Sequence, residues 1–184
     1  MKRSLFAIAL ATVVLLAGCQ SWTRGGDYTS RRGYRISTPS TWIYHPTLGG
    51  DFVATHDGLF LQRLSVRRAP LATPLDHSKR TLTKDLTPLE LAEAIIDDLK
   101  ADQSNQRLVI VENSPATLDG RAAARVMFDY YLEDGTHLKC VRYICVHADN
   151  LYTVQLTAPA RHYFDDALPV FEKAARSFAF TQAD

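Results

Sequence analysis

The apolar-alternating runs Ala123–Glu133, His137–His147 and Leu151–Ala158 follow one another with only a few residues between them. Asp134-Gly135 sits in the first gap and Asp149-Asn150 in the second, and both pairs accept the tight backbone of a hairpin turn. Parallel strands need a crossover of about a dozen residues or more, so links this short make neighbours run antiparallel. The chain is therefore organised round an antiparallel meander.

Alternation assigns faces to that meander. Val126, Phe128, Tyr130 and Leu132 share one face, Leu138, Cys140, Ile144 and Val146 share the next, and Tyr152, Val154 and Leu156 read as continuing the series. Arg142 interrupts this inner face, so either it reaches to the rim or a bulge shifts the register. Met127, Tyr131, Tyr143 and Cys145 make the opposite face semi-apolar. With helices covering one side only, that opposite face is expected to stay open. Met127, Tyr131 and Tyr143, with Arg142 at the rim, are the expected partner surface.

The flanks supply further strands and the helices. Gly33–Pro39 reads as a first strand ended by proline, with Trp42 dropped into the core. Asp51–Thr55 and Gly58–Val66 read as a hairpin turned at His56-Asp57-Gly58, and Arg67–Asp85 as an exposed loop. Thr87-Pro88-Leu89-Glu90 carries a cap, a first-turn proline and the carboxylate of a capping box. Ala92, Ile95, Ile96 and Leu99 then recur at helical spacing, with Glu93, Asp97, Asp98 and Asp102 expected to face water. Arg107–Asn113 is a short strand, punctuated by Ser114-Pro115. Phe164, Leu168, Phe171, Ala175 and Phe178 form a second helical stripe, with Pro169 placing the regular helix from about Asp166. Phe178-Ala179-Phe180 closes the domain as a short strand or latch.

At the other end, Lys2 and Arg3 precede an apolar stretch from Leu5 to Leu16, which runs into Leu16-Ala17-Gly18-Cys19. This is the layout of an export signal, and the run is shorter than the roughly 20 residues a spanning helix needs. Ending on cysteine, it resembles the lipobox of bacterial lipoproteins. That resemblance implies a leader of residues 1–18, acylation of Cys19 with diacylglycerol and a fatty acid, and attachment to a membrane by those chains. Residues 19–32 are then a flexible tether and 33–184 a single globular domain. Gln20 stands where an aspartate commonly retains such proteins at the inner membrane, so the expected location is the outer membrane, facing the periplasm.

Export makes a Cys140–Cys145 disulfide worth testing, and strand geometry opposes it. Five residues of one strand separate the thiols by roughly 16 Å, where a disulfide needs about 4.4–6.8 Å. Two free cysteines on opposite faces are expected, Cys140 inside. The 46% apolar and 22% charged content belongs to a globular domain. The 21 basic and 20 acidic side chains nearly balance, which removes any reason to expect nucleic acid.

Catalytic and metal motifs are absent from the sequence. His45, His56, His77, His137, His147 and His162 include no i,i+4 pair, and neither cysteine has a Cys-x-x-Cys partner. There is no Gly-x-Ser-x-Gly elbow and no glycine-rich loop opening a helix. Basic residues gather at Arg31, Arg32 and Arg35 and again at Arg67, Arg68, Lys79 and Arg80, a solvated surface by default and a headgroup site if the groups meet.

The order of these pieces is itself informative. Tyr34-Arg-Ile-Ser-Thr-Pro-Ser-Thr-Trp42, a hairpin, a capped helix, Leu118-Asp-Gly-Arg-Ala-Ala123, long antiparallel strands, Leu151-Tyr152, Ala158-Pro159 and Ser177-Phe178 together resemble the PsbP/Mog1/DcrB-like domain family. The resemblance spans about residues 33–180. It implies an α+β fold, an antiparallel sheet of about six or seven strands with two main helices packed on it as an α/β/α sandwich. It implies a binding or assembly module with no catalytic residues, no cofactor and no metal. The expectation is a lipid-anchored envelope module that docks a protein partner. The alternative is a small-ligand, lipid or metal-binding protein, or a hydrolase on the same fold.

Overall fold

The computed structural model describes residues 22–46 and 51–181. Cys19 and the leader expected at residues 1–18 lie outside them. In chain order the elements are β1 (Thr23–Arg24), β2 (Asp27–Ser30), β3 (Tyr34–Ser37), β4 (Ile43–His45), β5 (Phe52–Thr55), β6 (Arg63–Pro70), α1 (Pro88–Ala101), β7 (Gln106–Leu118), β8 (Arg121–Tyr131), β9 (His137–His147), β10 (Asn150–Pro159), α2 (Tyr163–Ser177) and β11 (Ala179–Phe180). The fold is α+β: an eight-stranded antiparallel sheet ordered β1-β4-β5-β6-β10-β9-β8-β7, and a three-stranded sheet ordered β11-β3-β2.

The main sheet is wider than the six or seven strands expected, because β1 and β4 are too short to show alternation in sequence. Both β1 and β2 fall in the stretch expected to be tether, where they pair with β4 and β3. Backbone pairing orders this polar segment without any apolar period. The strand β6 also runs on through Arg67–Pro70, expected to be loop, since β10 supplies partners along its whole length. Likewise β7 continues through Ser114-Pro115. It is an edge strand, where a proline can turn its missing N–H away from the ladder.

Register decides the faces. Ala148 and Asp149 both have left-handed φ, 46° and 58°, making a two-residue turn that sets His147 opposite Asn150. Val146 therefore lies beside Leu151, and Tyr152 beside Cys145. Tyr152, Val154 and Leu156 thus sit on the face opposite Val126 and Phe128, not on the same one. No bulge displaces Arg142, which pairs in register with Val126 and Gln155.

Both faces are covered. On the first, Leu91, Ala92, Ile95, Ile96 and Leu99 of α1 pack on Val126, Phe128, Cys140 and Ile144. Thr87 caps this helix in a full capping box with Glu90, as its sequence requires. On the second, Phe164 and Phe171 of α2, Tyr34 and Ile36 of β3, and Phe178 pack on Met127, Val141, Cys145, Val154 and Leu156. The semi-apolar face expected to be open is therefore the floor of this second core. The helix α2 and the small sheet are amphipathic, and this was the apolar surface left for them. Each buried Phe here contributes roughly 1.5–3 kcal/mol. Pro169 lies inside α2, which begins before Asp166. It is on the exposed side, where water can take the carbonyl that proline leaves unpaired.

Candidate functional site

The helix α1 is shorter than the sheet is wide. It packs on β7, β8 and the near side of β9, and leaves the rest of the first face to other cover. That remainder is polar: Arg142 on β9, Thr153 and Gln155 on β10, Arg63, Ser65 and Arg67 on β6. The 71–86 connection arches over it, bringing Leu71, Leu75 and Leu82 toward the α1 side. Between loop, helix and strands lies a groove of about 390 Å³.

The loop is tied down at one carboxylate. Asp98 of α1 accepts from the backbone N–H of His77 at 2.9 Å, from that of Ser78 at 2.7 Å and from the Ser78 hydroxyl at 3.0 Å. Burial pushes the Asp98 carboxyl up, but these donors outweigh it and hold it below the usual range. Asp102 next to it accepts from Ser104 and Asn105, and His77 lies 3.4 Å away. Arg67 reaches Asp76 of the loop at 3.2 Å. Of the acids expected to face water, Asp98 thus anchors the loop and Asp102 supports it through His77.

The floor is organised differently. Arg142 donates through Nε to the Gln155 side-chain oxygen at 2.5 Å, and its guanidinium stands 5.2 Å from the centre of the Phe128 ring. Gln155 in turn donates to Thr157 at 2.7 Å, so its amide is oriented and orients Arg142. Arg142 and Arg63 form no ion pair among the described residues.

The four expected partner-surface residues are not one surface. Met127 is buried under α2. Tyr143 lies beside Phe171 and donates its hydroxyl to Glu172 of α2 at 2.7 Å. Tyr131 is half-buried at the sheet end, stacked on His137 at 4.4 Å with Arg107 over the ring at 5.4 Å. Arg142 points from the other face, into the groove. The basic groups also divide: Arg32 pairs with Asp51 at 2.6 Å and accepts from Arg68 through its carbonyl, while Arg67 belongs to the groove.

Arg63 and Gln155 are groove residues that sequence reasoning passed over, and Asp98, expected to face water, holds the loop instead. The signal was present as alternation of Arg63, Ser65, Arg67 and of Thr153, Gln155, Thr157, which reads as an ordinary solvent face.

Neither cysteine of the domain lines the groove, and neither is an activated thiol. Burial pushes the Cys140 thiol up and Cys145 to about 11, so both stay protonated and poorly nucleophilic at neutral pH. They are free and buried, on opposite faces. Among the described residues no group of three His, Cys, Asp or Glu side chains could hold a metal ion. Also among them, no helix is long and apolar enough to cross a membrane.

Comparison with known proteins bears on the fold. No curated protein matches the chain. The solution structure of cyanobacterial PsbP (CyanoP) from Synechocystis sp. PCC 6803 is similar, with a TM-score of 0.57 at 19% identity over 89% of this chain and 96% of that one. LpqN of Mycobacterium tuberculosis, described as involved in cell envelope biogenesis, is similar with a TM-score of 0.53 at 14% identity, over 86% of each chain. The sequence model for PsbP matches residues 27–180, from β2 to the end of β11, and on that match the chain belongs to the PsbP family.

Proposed function

We propose that the protein is a lipid-anchored envelope module, held by acylated Cys19 and acting by binding rather than by turnover. The observation that carries this reading is the groove, whose polar groups are oriented to hold something and whose lining contains no thiol. Envelope attachment is supported by the cysteine-terminated leader and by the similarity of fold to LpqN. Gln20 favours the outer membrane. Anchoring confines the domain near its ligand source and raises effective concentration, so modest affinity suffices.

The test uses the full chain expressed with its leader in a Gram-negative host. The expected results are an acylated, leader-free N-terminus by mass spectrometry and release from membranes in Cys19→Ser. Native mass spectrometry should also find a small molecule that co-purifies and is lost when Thr153→Trp fills the groove. An unmodified thiol with an intact leader overturns the anchor, and a groove that retains and takes up nothing overturns the binding role.

A protein partner is a second reading, favoured by the exposed edge of β7. Val109 and Val111 are exposed there, beside an unpaired backbone row that an incoming strand could extend. Val109→Lys would abolish such docking and leave the groove untouched.

A further inference from the structure

Resting on the reading of the groove as a ligand site, we infer that it selects an amphipathic anion, a carboxylate or phosphate head on an apolar body. Arg142 and Arg63 take the head, and Leu75, Leu82, Ile95 and Leu99 take the body.

The charge pattern is the reason. The acids lining the groove stand on the α1 side and are spoken for: Asp98 by His77 and Ser78, Asp102 by Ser104, Asn105 and His77. Asp76 in the loop is met by Arg67. Arg142 and Arg63 stand on the strands and form no ion pair among the described residues, although Arg142 is near enough to Asp102 to lower its carboxyl. A guanidinium that is half-buried over an aromatic ring and held only by the neutral side chains of Gln155 and Cys140 has donors to spare for an anion. Ser65 and Thr153 place hydroxyls beside the same floor.

The apolar wall makes the second half of the specificity. Leu71, Leu75 and Leu82 from the loop and Ile95 and Leu99 from α1 line the same groove as the arginines. A purely polar anion would leave that wall wet, and a neutral hydrocarbon would leave the arginines unanswered. The volume, about 390 Å³, lies in the range of small-molecule sites. It is too small for a folded domain or a duplex.

Carboxylate and phosphate heads share this chemistry and point to different sources, a free fatty acid or a lipid phosphate. The experiment separates them. The full chain in a neutral detergent is mixed with dodecanoate, dodecyl phosphate, dodecanol or inorganic phosphate, and occupancy is read by native mass spectrometry. At least one of the two charged amphiphiles should bind, with dodecanol and inorganic phosphate each far weaker, and the better charged head identifies the source. Arg142→Gln should weaken the charged amphiphile roughly ten- to a hundredfold and leave dodecanol unchanged. Arg63→Gln, at an exposed position where folding is not at issue, should give a smaller loss in the same direction. Equal binding of dodecanol and dodecanoate, or indifference to both substitutions, overturns the inference while leaving a ligand site in place. Binding of other small molecules but no amphiphile does the same. If nothing of any kind enters the groove, the binding role itself is lost.

Discussion

Tyr143 and Glu172 join the two layers of the domain: the phenol hydroxyl on β9 donates to a carboxylate oxygen on α2 at 2.7 Å. Arg125 on β8 donates to the other oxygen at 2.9 Å and reaches Glu112 on β7. One partly buried set of four side chains thus spans the edge of the sheet and the helix that covers it. An aromatic residue read from sequence as a docking contact is an internal brace.

Removing the shared acceptor should cost stability. Glu172→Ala leaves Arg125 and Tyr143 short of a partner beneath α2, and the expected loss is about 1–3 kcal/mol. Glu112→Ala, at the more exposed end, should lose less. The check is the urea midpoint at unchanged slope.

The same contact has an alkaline signature. Burial, then the Glu172 carboxylate, push the Tyr143 phenol up to about 12 from 10.0. The folded state therefore holds this proton more tightly than the unfolded state. Its contribution is fully present below 10 and is lost as pH rises toward 12. Tyr143→Phe should flatten that part of the stability-against-pH curve, measured by chemical unfolding across the interval.

Asp98 should behave in the opposite sense. Its folded carboxyl titrates below the ordinary 3.8, so its contribution is present above that value and fades as pH falls through the folded one. Asp98→Asn weakens the charge-assisted bonds to His77 and Ser78. Faster hydrogen exchange across the 71–86 loop is expected, with exchange in β8 and β9 unchanged.

Met127 and Tyr131 test which expected partner residues are structural. Met127→Ala opens space under α2 and should cost about 2–5 kcal/mol in thermal or urea unfolding. Tyr131→Ala, at the half-buried sheet end, should cost clearly less. Equal losses would contradict the cover that α2 places over this face.

Capping gives a local control. Thr87→Ala removes one half of the box with Glu90 and should lower stability by about 1 kcal/mol, without altering groove occupancy.

Much of this architecture was legible along the chain because it is written in local signals. The meander follows from alternation and short turns, α1 from its capping box and apolar stripe, and α2 from its aromatic spacing. Short strands such as β1 and β4 were not legible, since two or three residues carry no period and are held by pairing alone. The extension of β6 through Arg67–Pro70 was hidden for the same reason: a charged strand reads as loop until its partner is known.

The sequence by itself determined that this is an α+β domain with an antiparallel meander and two amphipathic helices, because each of those properties depends on residues near one another in the chain. Only the tertiary structure decided that the face bearing Met127 and Tyr143 is a core and the face bearing Arg142 is a groove. That choice depends on which strand lies beside which, on where α1 stops short of β10, and on the 71–86 loop folding back to Asp98. Alternation says that a strand has two sides. Packing says what covers each of them.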